Sequence, residues 1–186
     1  TYVPLETCLE RNALRAGTDS FVPEKVIRET YYRNVMSEPV IRPVIHNQPG
    51  LPWCVICDLD GTLALHNGRS PYDTAKCETD LLNRDVNSVL RAMDNHGYQI
   101  LFMSGREELF RPQTERWLEQ KGWLGRPVYM RPTGDFRNDA IVKNELFDTF
   151  VRDKYNVVCV IDDRDRVIKR WRELGLTCLQ CAYGNF

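Results

Sequence analysis

Trp53-Cys54-Val55-Ile56-Cys57-Asp58-Leu59-Asp60-Gly61-Thr62-Leu63 runs five apolar or sulfur-bearing residues straight into two carboxylates and a glycine. So short a run without polar alternation reads as a strand covered on both faces. The pattern recurs at Val157-Val158-Cys159-Val160-Ile161 before Asp162-Asp163, and at Ile100-Leu101-Phe102-Met103 before Ser104. Strands are therefore expected over Trp53–Asp58, Tyr98–Ser104, Val128–Met130, Val157–Asp162 and Thr177–Cys181. Between them Val86, Val89, Leu90 and Met93 keep helical spacing, with Asn83 as N-cap and Gly97 as stop. Val142, Leu146, Phe147 and Phe150 mark another helix, and Val167, Ile168, Trp171 and Leu174 a third before Gly175. Alternating strand and helix predicts an α/β fold, a parallel Rossmann-like sheet flanked by helices on both sides.

Upstream of residue 53 the chain changes character. Residues 1–36 hold two helical stretches, Leu5 to Ala16 stopped by Gly17, and Pro23 to Tyr32 with Pro23 at a first helical position. Residues 37–52 carry Pro39, Pro43, Pro49 and Pro52, which forbid a helix and favour an extended linker. The expected organisation is a short helical appendage (1–36), a linker (37–52) and the main domain (53–186). The first residue is Thr1 rather than Met, which reads as a piece of something longer.

Composition narrows the class. The 186 residues are 42% hydrophobic and 27% charged, enough for a sizeable core and too apolar for wholesale disorder. No apolar run approaches a membrane span, and no secretory signal is evident. With 25 Lys+Arg against 26 Asp+Glu, there is no basic face for long-range capture of a duplex, although a few arginines suffice to grip a strand end. Seven cysteines without a signal point to a reducing, cytoplasmic setting. Cys54/Cys57 and Cys178/Cys181 have C-x-x-C spacing. Residues three apart on a strand face opposite ways, so these cysteines read as small core residues rather than zinc ligands.

In a parallel sheet, ligands bind beyond the carboxyl ends of the strands. Asp58 and Asp60, Ser104 and Arg106, and Asp162 and Asp163 all fall there, with Asp139 and Lys143 entering from the helix between. Clustered carboxylates need a counter-ion, and hard oxygen ligands suit Mg²⁺. Each feature also has a structural reading. Asp162-Asp163 fits a helix N-cap and first-turn acid, Ser104-Gly105 a turn, and Asp139 with Lys143 an exposed helix pair. Singly these readings compete well; jointly they leave unexplained why carboxylates gather at strand ends. His46, His66 and His96 read as surface or packing residues, and Trp117, Trp123 and Trp171 as core.

The D-x-D-G-T stretch Asp58-Leu59-Asp60-Gly61-Thr62, followed in order by Ser104, Lys143 and Asp162-Asp163, resembles the haloacid dehalogenase-like phosphatases. Asn67-Gly68-Arg69-Ser70-Pro71-Tyr72-Asp73, Ser104-Gly105-Arg106, Asp139-x-x-x-Lys143 and Ile161-Asp162-Asp163-Arg164 narrow the resemblance. They are similar to the 3′-phosphatase domain of bacteriophage-type polynucleotide kinase–phosphatases, from about Cys54 to Gly184-Asn185-Phe186. Residues 1–36 resemble the tail of that enzyme's P-loop kinase. No G-x-x-x-x-G-K-[ST] loop occurs, so no kinase activity is expected of this chain.

The resemblance implies a Mg²⁺-dependent 3′-phosphatase acting on DNA or RNA ends through an aspartyl-phosphate. Asp58 is then the nucleophile and Asp60 the general acid–base. Lys143 and Ser104 hold phosphoryl oxygens, and Asp58, Asp162 or Asp163, and the Asp60 carbonyl hold the metal. Arg69 and Arg106 form the substrate-specific layer with Gly61, Thr62, Gly105 and Asp139, the last also orienting Lys143. Arg131 and Arg137 read as solvated surface. The gap from Gly61 to Asn83 is roughly twenty residues, too short for a full lid, so a minimal cap and an accessible site are expected. Two other classes stay open: a phosphatase for small phosphomonoesters or phosphoproteins, and a non-catalytic docking module. Residues 1–36 are expected to fold back, self-associate or meet the kinase portion.

Overall fold

The structure is a computed structural model and describes residues 3–31, 40–71 and 73–185. The expected helix end at Tyr32, the linker start at Ser37 with Pro39, and the motif residues Tyr72 and Phe186 lie outside the described residues. Contacts divide the chain into two compact units, Thr1–Val40 and Ile41–Phe186.

In the first unit, α1 (Leu5–Ala13) and α2 (Glu24–Tyr31) are joined by a polar clip. The amide of buried Asn12 accepts from Val22 N (3.0 Å) and donates to Val22 O (2.8 Å), so one side chain satisfies both backbone groups of one residue. The chain leaves the helical path at Leu14, earlier than Gly17.

The second unit contains a five-stranded sheet: β1 (Trp53–Cys57), β4 (Gln99–Glu107), β5 (Val128–Arg131), β6 (Asn156–Asp162) and β7 (Cys178–Gln180). The order is β5-β4-β1-β6-β7, every pair parallel. The short β2 (Ala64–Leu65) and β3 (Leu81–Leu82) pair antiparallel across the segment between β1 and α3 (Arg84–Asn95). Asn83 caps α3 as the sequence predicts, its side chain accepting from Val86 N. The other helices are α4 (Arg111–Gln120), α5 (Asp139–Phe150) and α6 (Asp165–Glu173).

Period-two alternation along the central strand sorts the core onto two faces. Val55 and Cys57 pack with Leu90, Phe102, Trp117 and Trp123 beside α3 and α4. Cys54 and Ile56 pack with Met103, Phe147, Val160 and Trp171 beside α5 and α6. Cys54 and Cys57 thus occupy opposite faces, and burial, with Cys159 nearby, pushes the Cys54 thiol up to about 12. All three expected core tryptophans are buried. The described part of the proline-rich stretch, residues 40–52, turns at Asn47 and Gly50, both at positive φ, and is tethered. Val44 N donates to Leu174 O (2.8 Å), and the Asn156 side chain bonds Gln48 N and O (2.7 and 2.9 Å).

Candidate active site

All the charged groups expected at the strand ends meet at the carboxyl edge of the sheet. Asp58 N donates to Ile161 O (2.9 Å), which locks the first catalytic candidate to β6 and hence to Asp162 and Asp163. The turn after it is tight. Gly61 adopts φ +81°, Gly61 N bonds Ala64 O (2.9 Å) and Thr62 N bonds Leu59 O (3.2 Å). The N–H groups of Gly61 and Thr62, two residues expected to bind substrate, are therefore spent inside the turn. The Thr62 hydroxyl donates to Asp163 Oδ1 (3.1 Å), and a Cβ on Gly61 would lie 2.3 Å from Asp163 Oδ2. Gly61 and Thr62 frame Asp163.

Asp58, Asp162 and Asp163 are buried, with one carboxylate oxygen of each within 4.8 Å of the others. Lys143, from the second turn of α5, lies 2.8 Å from both Asp58 and Asp162. At ~4 Å and an effective dielectric near 20, each pair is worth about 4 kcal/mol. Three carboxylates face one ammonium, so the cluster is short of positive charge. Burial, then its carboxylate neighbours, accordingly push Asp58 up to about 7 despite Lys143; Asp163 rises by burial and by Asp162. Burial opposes the charge of Lys143, but Asp162 and Asp58 outweigh it and hold the ammonium protonated. Three buried carboxylates against one ammonium leave two unmatched negative charges, which fits a divalent cation.

Asp60 lives two residues away in the opposite environment. Arg69 Nη2 donates to it at 2.6 Å, and Arg106 grips it through Nε (2.7 Å) and Nη2 (2.8 Å). Burial alone would raise its pKa; His66, Arg106 and Arg69 together hold it far below the usual carboxylate range. Behind them sits Asp80, wholly buried, taking Arg69 bidentately (2.7 and 2.7 Å) and Arg106 (3.0 Å). Two guanidiniums and two carboxylates close a neutral square. Arg69 and Arg106, expected to grip substrate phosphate, are buried and engaged with carboxylates, and of the two only Arg106 lines the cleft.

β4 continues through Ser104 to Glu107, where the expectation was an end or a turn. Between Ser104/Met130 and Glu107/Arg131 it slips register against β5. Such a bulge re-aims side chains, and here Arg106 reaches Asp60 while buried Ser104 accepts from Arg106 N (3.2 Å). Gly105 lines the cleft, its carbonyl accepting from Arg131 Nε (2.9 Å).

Three expectations are corrected. Asp139 pairs with Arg131 and Arg164, with Arg166 at 3.7 Å, rather than orienting Lys143. Lys143, a full turn further into α5, reaches the sheet edge, whereas Asp139 opens the helix beside the arginine loops. Arg131 is buried rather than solvated, because the carbonyls of Gly105, Asp135 and Arg137 converge on its guanidinium. Nor does Asp162 cap α6: Arg164 holds the N-cap position, and Asp162 Oδ1 accepts from Arg164 N (3.1 Å).

Asp58, Asp60, Lys143, Asp139, Gly105 and Arg106 share one cleft of about 560 Å³ with Arg131, Arg137, Arg164, Arg166 and Phe136. Sequence reasoning missed Asp80, His66 and Arg166, and named Arg164 within a motif without giving it a role. The contacts that bring these residues to the site form only on folding.

A family model described as "Polynucleotide kinase PNKP phosphatase domain" matches residues 52–186. A protein of Autographa californica nuclear polyhedrosis virus, named "Putative bifunctional polynucleotide kinase/RNA ligase", is 34% identical over 177 residues, covering 94% of this chain and 25% of that protein. A chain in "Structure of the Pnkp1/Rnl/Hen1 RNA repair complex" superimposes with a TM-score of 0.74 at 36% identity, covering 99% of this chain and 64% of that one. A haloacid dehalogenase-like family hydrolase from Streptococcus pneumoniae shares the fold alone, with a TM-score of 0.50 and 14% identity over 72% of this chain and 85% of that one. The chain spans a quarter of the viral relative and less than two thirds of the repair-complex chain.

Proposed function

The chain belongs to the polynucleotide kinase PNKP phosphatase domain family, phosphomonoesterases of haloacid dehalogenase type, and from that premise we propose that it removes the 3′-phosphate from polynucleotide ends. The observation that carries the reading is the pairing of opposites on one turn: Asp58 beside Lys143 in a cluster short of positive charge, and Asp60 clamped by two guanidiniums. Arg164 and Arg166, which line the cleft, favour a substrate with further phosphates. The names of the relatives favour RNA ends in a repair setting, with kinase and ligase activities as partners.

Asp58, Asp162, Asp163 and the Asp60 carbonyl would hold Mg²⁺, which when bound supplies the charge that keeps Asp58 ionised. An Asp58 oxygen forms a bond to phosphorus as the bond to the sugar oxygen breaks, giving an aspartyl-phosphate. Asp60 passes a proton to the departing oxygen. Its clamp holds the resting carboxylate ionised, so that proton arrives with the phosphate monoanion. Water then attacks phosphorus, Asp60 takes its proton, and the Asp58 bond breaks. Lys143 steadies the phosphoryl oxygens throughout, and Ser104, buried behind the cleft, holds the Arg106 backbone.

Phosphate release from matched 3′- and 5′-phosphorylated oligonucleotides and a 3′-mononucleotide tests the reading. Release from the 3′ end alone, abolished by chelator, is expected. Asp58→Asn should lose about 10⁴-fold in kcat while keeping its fold by circular dichroism. Equal release from all three substrates would replace the reading with a general phosphatase.

A further inference from the structure

Phe136 is used neither by the core nor by the chemistry above. Its side chain is 76% exposed, yet it lines the same cleft as Asp58, Asp60 and Lys143. A single exposed apolar side chain is ordinary on a protein surface; what sets Phe136 apart is its place in the charged cleft. Its backbone, by contrast, is tightly fixed. The buried Arg131 guanidinium donates to Asp135 O (2.9 Å) and Arg137 O (2.8 Å), the carbonyls on either side of Phe136. Asp135 Oδ1 accepts from Arg137 N (2.9 Å), and Gly134 N donates to Glu107 Oε2 (2.8 Å). A ring displayed on a loop pinned at both flanks loses little conformational freedom when something stacks on it.

The neighbours say what that something is. Arg137, Arg164 and Arg166 line the cleft around the ring, a setting that suits an anion bearing a planar apolar face and repels an apolar protein surface. Aromatic rings among guanidiniums are how proteins hold single-stranded nucleic acid, since every base offers a π face to stack on. A 3′-phosphate delivered to Asp58 carries its own base one sugar ring away. Resting on the polynucleotide reading above, we infer that Phe136 is the stacking platform for the base of the 3′-terminal nucleotide. It is a specificity-determining residue that favours a base-bearing 3′ end over phosphate monoesters that lack a base.

The test compares two 3′-phosphorylated oligonucleotides, one ending in a normal nucleotide and one in an abasic sugar, with wild type, Phe136→Ala and Phe136→Trp. Phe136→Ala is expected to raise KM for the base-bearing end about tenfold, the order a lost base stack costs. KM for the abasic end should stay unchanged, kcat should hold on both, and Phe136→Trp should restore the preference. A 2-aminopurine at the 3′ terminus, bound to Asp58→Asn protein, should be quenched, and the quenching should disappear when Phe136→Ala is added. Equal KM changes on both ends, no change on either, or unaltered quenching would overturn the assignment while leaving the phosphatase intact. Failure of wild type to release phosphate from the base-bearing 3′ end would overturn the function itself, and this inference with it.

Discussion

Asp58 and Asp60 sit two residues apart on one turn, yet their carboxyl groups are driven in opposite directions. One faces two more carboxylates and is pushed up to about 7; the other is enclosed by two guanidiniums and a histidine and is driven far down. The difference traces to the neighbours: Asp162 and Asp163 face Asp58, whereas Arg69, Arg106 and His66 face Asp60. Behind that clamp, Asp80 neutralises the second charge brought by Arg69 and Arg106. Asp80→Asn keeps the shape but leaves a net positive charge buried, a change that costs about 3–5 kcal/mol when a buried pair is broken. Its denaturation midpoint should fall accordingly. Phosphate release should drop further than the loss of folded protein accounts for, since the guanidiniums then turn on Asp60 alone. Stability and turnover at wild-type levels would remove Asp80 from the site. Nothing in Glu78-Thr79-Asp80-Leu81-Leu82 marks that residue in the sequence, because its partners lie 11 and 26 positions away. Asp58 and Lys143, by contrast, stood in motifs at strand and helix ends and were legible.

At the scale of elements, the three central strands β1, β4 and β6 announced themselves through apolar runs buried on both faces, whereas the edge strand β7, its residues half-buried or exposed, was marked by a shorter stretch. What escaped notice was what lacks such a stripe. α4 has only Thr114, Trp117 and Leu118 buried, a face too narrow to register as a period. β2 and β3 are two residues each, below any periodicity. The bulge in β4 was equally invisible, since Gly105 in a Ser-Gly-Arg stretch reads as a turn until β5 is in place. The tail beyond β7 matters more than its position suggests: Gly184 O accepts from Asp165 N (3.1 Å), and a Cβ there would stand 2.2 Å from Asp163 O. Gly184→Ala should therefore cost about 1–3 kcal/mol through overpacking. It should also displace Asp163, so the Mg²⁺ concentration giving half-maximal phosphate release should rise. An unchanged Mg²⁺ titration would detach the tail from the acidic cluster.

For the whole molecule, the acidic cluster sets how stability responds to pH. A carboxyl raised from 3.8 to about 7 binds its proton more tightly in the native state than in the unfolded one. The stability it contributes is complete below about pH 4 and is lost as pH climbs through 7. Asp163 shifts the same way, while Asp60, held low, contributes a constant amount over that window. In chelator, Tm should thus decline between pH 5 and 7.5, and millimolar Mg²⁺ should flatten the decline by binding the ionised native cluster. A chelated Tm that rises over this range would mean the cluster is not short of positive charge.

The sheet order has a consequence in time. β1 is the earliest strand of the sheet in the chain and its centre in space, flanked by β4 and β6. Its second neighbour ends at Asp162, and synthesis at ~5–20 residues per second reaches that point several seconds or more after Cys57. Through that interval the apolar Trp53-Cys54-Val55-Ile56-Cys57 has at best one edge covered on the ribosome. Asp162 and Asp163 arrive with the same late strand, so a nascent chain is inert until its centre is sheltered, and the first turnover reports that the sheet has closed.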